Sequence, residues 1–145
     1  MTEKRLWQTV KDGLDHAGHL DRIESHSTSQ GRPDVNYCID GCMGDIELKI
    51  FDKRKGGLVL RANQNAWFCN RVRHSGRCFI LARYDNDFGN STFILIEGKH
   101  SRALIHDRSY ETWRDLAKCL WQNKINFSEL KAVLKGTGAD QPSPS

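Results

Sequence analysis

No apolar run in this 145-residue chain approaches the roughly 20 residues a helix needs to cross a bilayer, so a membrane span is not expected. The opening stretch MTEKRLWQTVKDGLDH lacks the apolar centre of a secretory signal. Together these absences point to a cytoplasmic protein. The five cysteines (Cys38, Cys42, Cys69, Cys78 and Cys119) are odd in number and contain no CxxC pair. That argues against a disulfide framework or a structural zinc site and fits free thiols in a reducing compartment. Internal repeats are absent. Hydrophobic residues reach only 38%, enough for one core, so a single domain over residues 1–135 is expected. The Gly-, Pro- and Ser-rich residues 136–145 read as a disordered tail.

What is present begins with charge. The net charge of +4 is a mild excess, but its distribution is uneven. Lys53, Arg54, Lys55 and Arg61 crowd one stretch, and Arg71, Arg73, His74 and Arg77 crowd the next. Such clusters suit an anionic partner.

Periodicity supplies the elements. Leu6, Trp7, Val10, Leu14 and Ala17 recur at helical spacing, which predicts a helix over 3–18 ending at Gly18. A short strand is expected at Leu20–Ser25 and a loop at Ser27–Arg32. Residues Pro33–Ile39 and Asp45–Phe51 alternate as strands: Val35, Tyr37 and Ile39, then Ile46, Leu48 and Ile50, mark their apolar faces. Between them stands Asp40-Gly41, a strong signal for a two-residue type I′ hairpin. That turn pairs Ile39 with Cys42 and Val35 with Ile46, and it brings Asp34 opposite Glu47. Asp40 and Asp45 read as turn residues.

Downstream, Asp52–Leu60 reads as a mobile basic linker. Ala62–Ser75 reads as a helix with its stripe at Ala66, Trp67, Cys69, Asn70 and Val72, and Trp67 is assigned to the core. Arg77–Tyr84 and Ser91–Glu97 read as strands joined by the polar turn Asp85–Asn90. A helix is expected over Tyr110–Trp121 and a short one over Phe127–Leu134. The order implies a mixed α/β sheet with flanking helices.

Two carboxylates close together on one strand face are costly unless a cation lies between them. A hard divalent ion such as Mg²⁺ meets that need, because it binds one or two carboxylates and completes its shell with water. Lys49 points to the same face. It would orient an attacking water or stabilise charge developing on phosphorus. Asp34, Glu47 and Lys49 therefore form a candidate catalytic set for phosphodiester hydrolysis. Exposed strand faces also carry Glu and Lys for solubility, and an ExK triplet alone is weak evidence.

The string Gly31-Arg32-Pro33-Asp34, then Ile46-Glu47-Leu48-Lys49, then Gln64 with Trp67, resembles the PD-(D/E)xK nuclease superfamily. It is most similar to the VRR-NUC and Holliday-junction-resolvase-like branch, including small phage-encoded members. The resemblance spans about residues 20–84. It implies a restriction-endonuclease-like αβββαβ core, Mg²⁺ or Mn²⁺ dependence, and cleavage of DNA to 5′-phosphate and 3′-hydroxyl ends. It implies metal binding by Asp34 and Glu47, a further metal ligand in the Leu48 backbone carbonyl, and a catalytic role for Lys49. Gln64 matches a glutamine that starts the next helix beside the site. Glu24 matches an acidic residue before the PD motif that binds metal directly or through water. The setting implied is a bacterial or phage-infected cytoplasm.

Arg32, Lys53, Arg54, Lys55 and Arg61 are the candidate DNA-backbone contacts. His26 and Ser25 are weaker candidates for a phosphate or water contact, and Arg71, Arg73 and Arg77 weaker candidates for the DNA backbone. The chain has no room for a separate target-recognition domain. Cleavage selective for branched DNA is therefore favoured, with a C2 homodimer to cut two strands symmetrically. Trp113 and Trp121 are candidate dimer contacts, with core packing as their default role. The alternatives are a nicking or exonucleolytic nuclease of the same fold and a catalytically silent DNA-binding module.

Overall fold

A computed structural model of the chain describes residues 1–23 and 31–136. The Asp40-Gly41 hairpin is its organising feature. Asp40 (φ 50°) and Gly41 (φ 80°) both adopt left-handed backbone, as a type I′ turn requires. The turn joins β2 (Val35–Ile39) to β3 (Cys42–Ile50). Ile39 pairs with Cys42 and Val35 with Ile46, the register anticipated from the sequence. β1 (His19–Arg22) extends the antiparallel ladder on β2. β4 (Cys78–Asp85) runs parallel to β3, reached through the crossover helix α2 (Ala62–Arg73) that a parallel pair needs. β5 (Ser91–Glu97) and β6 (Cys119–Gln122) complete a six-stranded sheet in sequence order.

Helices cover both faces of the sheet. α1 (Glu3–Leu14) and α5 (Phe127–Lys135) bury Leu6, Val10, Leu14, Leu130, Val133 and Leu134 against Val35, Tyr37, Ile46, Leu48 and Leu81. The two helices approach so closely that a Cβ on Gly13 would lie 2.1 Å from the Phe127 ring. The opposite face packs Ile80, Ala82, Ile94 and Ile96 under α2, α3 (Ser101–Leu104) and α4 (Tyr110–Asp115). The result is a mixed α/β fold with a central sheet between helical layers.

Several expectations need correction. α1 stops at Leu14, four residues short of Gly18. Gly18 instead lies against β2, where a Cβ would meet the Cys38 carbonyl at 2.4 Å. The first strand starts at His19 and ends at Arg22. Residues 24–30, including Glu24, Ser25 and His26, lie outside the described residues, as does the tail beyond Gly136. Gly136 itself, at φ 71°, is the left-handed cap of α5. Asp45 is not a turn residue. It is buried within β3 and accepts from Asn36 Nδ2 at 3.1 Å.

The predicted mobile linker is folded. Lys53–Lys55 forms a 3₁₀ turn capped by the Asp52 side chain, and Asp52 bridges to Gly57. Arg108 clamps this turn: its Nη1 donates to the Lys55 carbonyl at 2.7 Å, and its own carbonyl accepts from Leu58 N at 3.0 Å. Gly57, at φ 124°, has no room for a Cβ beside that carbonyl. In α2 the buried positions are Gln64 and Phe68, one turn apart, while Trp67 is half-buried and Ala66 and Cys69 are exposed.

The expected helix over 110–121 breaks after Asp115, and residues 119–122 become an edge strand. Cys119 and Trp121 point inward and Leu120 and Gln122 outward, a period of two. The free edge of β5 supplies ladder partners that a single helix cannot, and tertiary pairing overrides the helical spacing. The helical turn at Gly98–Leu104 was not anticipated. Trp113 and Trp121 are both core residues. Among the described residues no helix is long and apolar enough to cross a membrane.

Candidate active site

β3 alternates between two environments. Ile46 and Leu48 face the α1/α5 core, so Glu47 and Lys49 must face the other side. There they line a cleft of about 410 Å³ shared with Glu3, Arg32, Asp34, Lys55, Arg61 and Gln64. Glu47 is only 3% exposed and Lys49 8%. Lys49 Nζ lies 3.4 Å from Glu47 Oε2.

Gln64 ties this pair to α2. Its Nε2 donates to Glu47 Oε2 at 2.8 Å, and its Oε1 accepts from Lys49 Nζ at 2.9 Å. The same Oε1 accepts from Arg61 N at 2.9 Å, satisfying an orphan N–H at the start of the helix. Gln64 is therefore both a helix cap and a bridge to the candidate site. An amide suits the position because it offers a donor to the carboxylate and an acceptor to the ammonium.

Asp34 precedes β2 and reaches across to β3, where its Oδ2 accepts from Leu48 N at 3.0 Å. The contact seen for Leu48 is through its N–H, whereas the resemblance assigns its carbonyl to a metal. Burial pushes the Glu47 carboxyl up to about 8, with the Asp34 charge adding to the effect and Lys49 opposing it. Asp34 is also raised, chiefly by burial, against the Leu48 hydrogen bond and the Lys49 charge. Glu47 Oε1 is buried and meets no hydrogen-bond donor among the described residues. A buried carboxylate oxygen without a donor is expensive. A cation in the cleft would relieve both the orphaned atom and the raised pair.

The Asp34 and Glu47 carboxylates make a hard oxygen donor pair, which fits Mg²⁺ or Mn²⁺ and not a soft metal. Among the described residues, no group of three or more His, Cys, Asp and Glu side chains forms a metal cage. An ion here would rely on water for much of its shell, as Mg²⁺ commonly does.

Sequence reasoning missed Glu3. It sits in the first turn of α1, lines the cleft, and has its carboxyl raised by burial and then by the Asp34 charge. A glutamate at a helix N-terminus is ordinary on dipole grounds, and no local signal ties it to Asp34.

The basic candidates divide. Arg32, Lys55 and Arg61 line the cleft, and Arg32 Nε is buried without a hydrogen-bond partner among the described residues. Lys53 and Arg54 lie on the adjoining turn, paired with Asp87 at 3.1 Å and Asp52 at 3.3 Å. Arg71 stacks on Trp67 with its guanidinium 4.5 Å from the ring centre. Arg77 turns inward and donates to the Leu134 and Val133 carbonyls at 3.0 and 2.7 Å, anchoring α5. Arg73 is exposed near the end of α2. Compared with protein-family models and with curated proteins, the chain matches none.

Proposed function

We propose that the chain is a divalent-metal-dependent deoxyribonuclease of the PD-(D/E)xK type, with a restriction-endonuclease-like fold and selectivity for branched DNA. The observation that carries this reading is the buried Glu47–Lys49–Gln64 cluster beside Asp34, with one Glu47 oxygen left without a donor. A cluster serving only stability would gain by replacing a buried ion pair with apolar side chains.

Asp34 and Glu47 would hold Mg²⁺ or Mn²⁺, and such an ion, when bound, polarises the phosphate and lowers the pKa of a water. Lys49 Nζ donates toward the water or toward the charge growing on the phosphate oxygens. Gln64 holds the lysine and the glutamate at fixed separation, which limits the reorganisation needed at reaction. Arg32, Lys55 and Arg61 neutralise the DNA backbone along the cleft. The water oxygen bonds to phosphorus and the bond to the 3′ oxygen breaks, leaving a 5′-phosphate and a 3′-hydroxyl. Symmetric cutting of a junction by one site per chain calls for a C2 dimer.

Labelled four-way junction, flap, duplex and single-stranded DNA, incubated with Mg²⁺ or EDTA, test the reading. The expected result is metal-dependent cutting of branched DNA that is lost in Glu47→Ala. No cutting of any substrate would refute the enzyme reading, and equal cutting of linear duplex would refute the selectivity. A monomer by sedimentation, alone and on a junction, would refute the dimer.

A further inference from the structure

Phe88 is the most exposed large apolar side chain among the described residues, at 88%. Single exposed apolar residues are common on protein surfaces and mean little alone. Phe88 differs in how it is held. It stands at the tip of the β4–β5 turn, whose backbone is pinned from both sides. Asn86 Oδ1 accepts from Phe88 N at 2.9 Å and from Asn90 N at 3.0 Å, and Asn86 N donates to the Asn90 carbonyl at 2.9 Å. Asn123 Oδ1 accepts from Ser91 N at 2.9 Å at the base of the turn. The backbone that carries the ring is thus already ordered, which lowers the cost of ordering it on binding.

Its surroundings mix both signs of charge, with cations in excess. Asp87 is paired with Lys53 at 3.1 Å, Asp85 with Arg83 at 2.9 Å, and Asp52 with Arg54 at 3.3 Å. Lys55 on the 3₁₀ turn, and Arg108, which reaches that turn from the segment before α4, are two further cations not matched by these acids. An exposed aromatic ring beside surplus positive charge is the combination that binds unstacked bases on an anionic backbone. A purely apolar partner would not need the cations.

The tip also adjoins the turn that borders the cleft, because Lys53 pairs with Asp87 next to Phe88 and Lys55 on the same 3₁₀ turn lines the cleft. Lys49 pairs with Ala82 across β3 and β4. Asp85 is three residues farther, roughly 10 Å along the strand, and the turn continues outward from there.

We propose that Phe88 is a base-stacking wedge that recognises unpaired or unstacked bases in DNA next to the cleft. The inference rests on the nuclease reading for its choice of nucleic acid, and it supplies the selectivity for branched DNA. The Lys53–Asp87 pair couples the wedge to the basic turn that lines the cleft. Base and ring stack in parallel with an offset, and the gain is tolerant of base identity.

Binding in EDTA, where no cutting occurs, tests it with the full chain. Fluorescence anisotropy on forked, bulged and fully paired duplexes is compared for the native chain, Phe88→Ala and Phe88→Trp. A forked duplex carrying 2-aminopurine at the branch reports stacking by quenching. The expected result for Phe88→Ala is a loss of about tenfold to a hundredfold on forked and bulged DNA, the range of one lost stack. Fully paired duplex should change by less than about twofold, because phosphate contacts dominate there. Phe88→Trp should restore both affinity and quenching.

Equal binding of all substrates by the native chain and Phe88→Ala would overturn the wedge while leaving the nuclease reading intact if Mg²⁺ still supports cutting. Selective binding lost in Phe88→Ala, without cutting in Mg²⁺, would keep the wedge and sink the nuclease. A shift from dimer to monomer in Phe88→Ala, with unchanged DNA binding, would assign the ring to a second copy of the chain and overturn the wedge.

Discussion

The two faces of β3 share a backbone and differ in everything else. Ile46 and Leu48 enter a closed core between the sheet and helices α1 and α5. Glu47 and Lys49, alternating with them, are nearly as buried but sit in a polar cleft. The apolar face lowers the free energy of the fold by removing hydrocarbon from water. The polar face raises it, because two carboxylates and an ammonium are desolvated with one oxygen left without a donor. The proposed metal site accounts for that cost.

Breaking the polar face should produce the largest functional effect and a modest structural one. Glu47→Ala is expected to lower metal-dependent cleavage to background, on the order of a thousandfold or more. It should leave circular dichroism unchanged, and retained cutting would move the site elsewhere. Breaking the apolar face reverses the pattern. Leu48→Ala should cost about 2–5 kcal/mol in chemical denaturation, with total cleavage reduced only in proportion to the folded molecules lost.

Gln64→Ala lies between the two. It removes the bridge between Glu47 and Lys49 and the cap of α2, so a stability loss of about 1–3 kcal/mol is expected. The rate should fall further than the folded fraction accounts for. Gln64→Glu keeps the acceptor but places a third acid against Glu47, and it should not restore activity.

Glu47→Gln sharpens the comparison through pH. The Glu47 carboxyl is raised from 4.5 to about 8 in the folded chain. The native state therefore holds this proton more tightly than the unfolded state. The corresponding stability is present below pH 4.5 and lost as pH rises toward 8. Metal-free Glu47→Gln lacks this titration. It should melt above the unmodified chain at pH 8, with the difference shrinking toward pH 5. Added Mg²⁺ should raise the melting temperature of the unmodified chain at pH 8 and leave that of Glu47→Gln unmoved. The opposite pH trend would show that the pair is not desolvated.

The smallest effect is expected at the surface. Lys53→Ala removes an exposed ion pair with Asp87, and its stability change should stay below about 0.5 kcal/mol. Its effect on DNA affinity should weaken as salt rises.

Much of this was readable in one dimension. The Asp40-Gly41 turn dictates a register, and alternation on either side dictates which residues share a face. The turn and the alternation alone therefore group Asp34, Glu47 and Lys49. Residues 110–121 show where local reading fails: Trp113, Leu116, Ala117 and Leu120 keep helical spacing, yet Cys119–Gln122 pairs with β5 because an open sheet edge was within reach. Asp45 looked like a turn residue because aspartate favours turns, but the hairpin ladder extends past it to Cys42.

Glu3 and Phe88 belong to a third category. Nothing near them in the chain marks them. Glu3 joins the cleft only because α1 packs its N-terminal turn beside β3. Phe88 stands exposed beside the basic turn only because β4 runs parallel to β3 and carries its loop to the same end of the sheet. Local periodicity and turn chemistry act over a few residues, so the sequence by itself determined the hairpin, its acidic face and the helix after it. Which distant charges meet that face, how deeply they are desolvated, and which ring stands beside them depend on packing between elements far apart in the chain. Only the tertiary structure decided those.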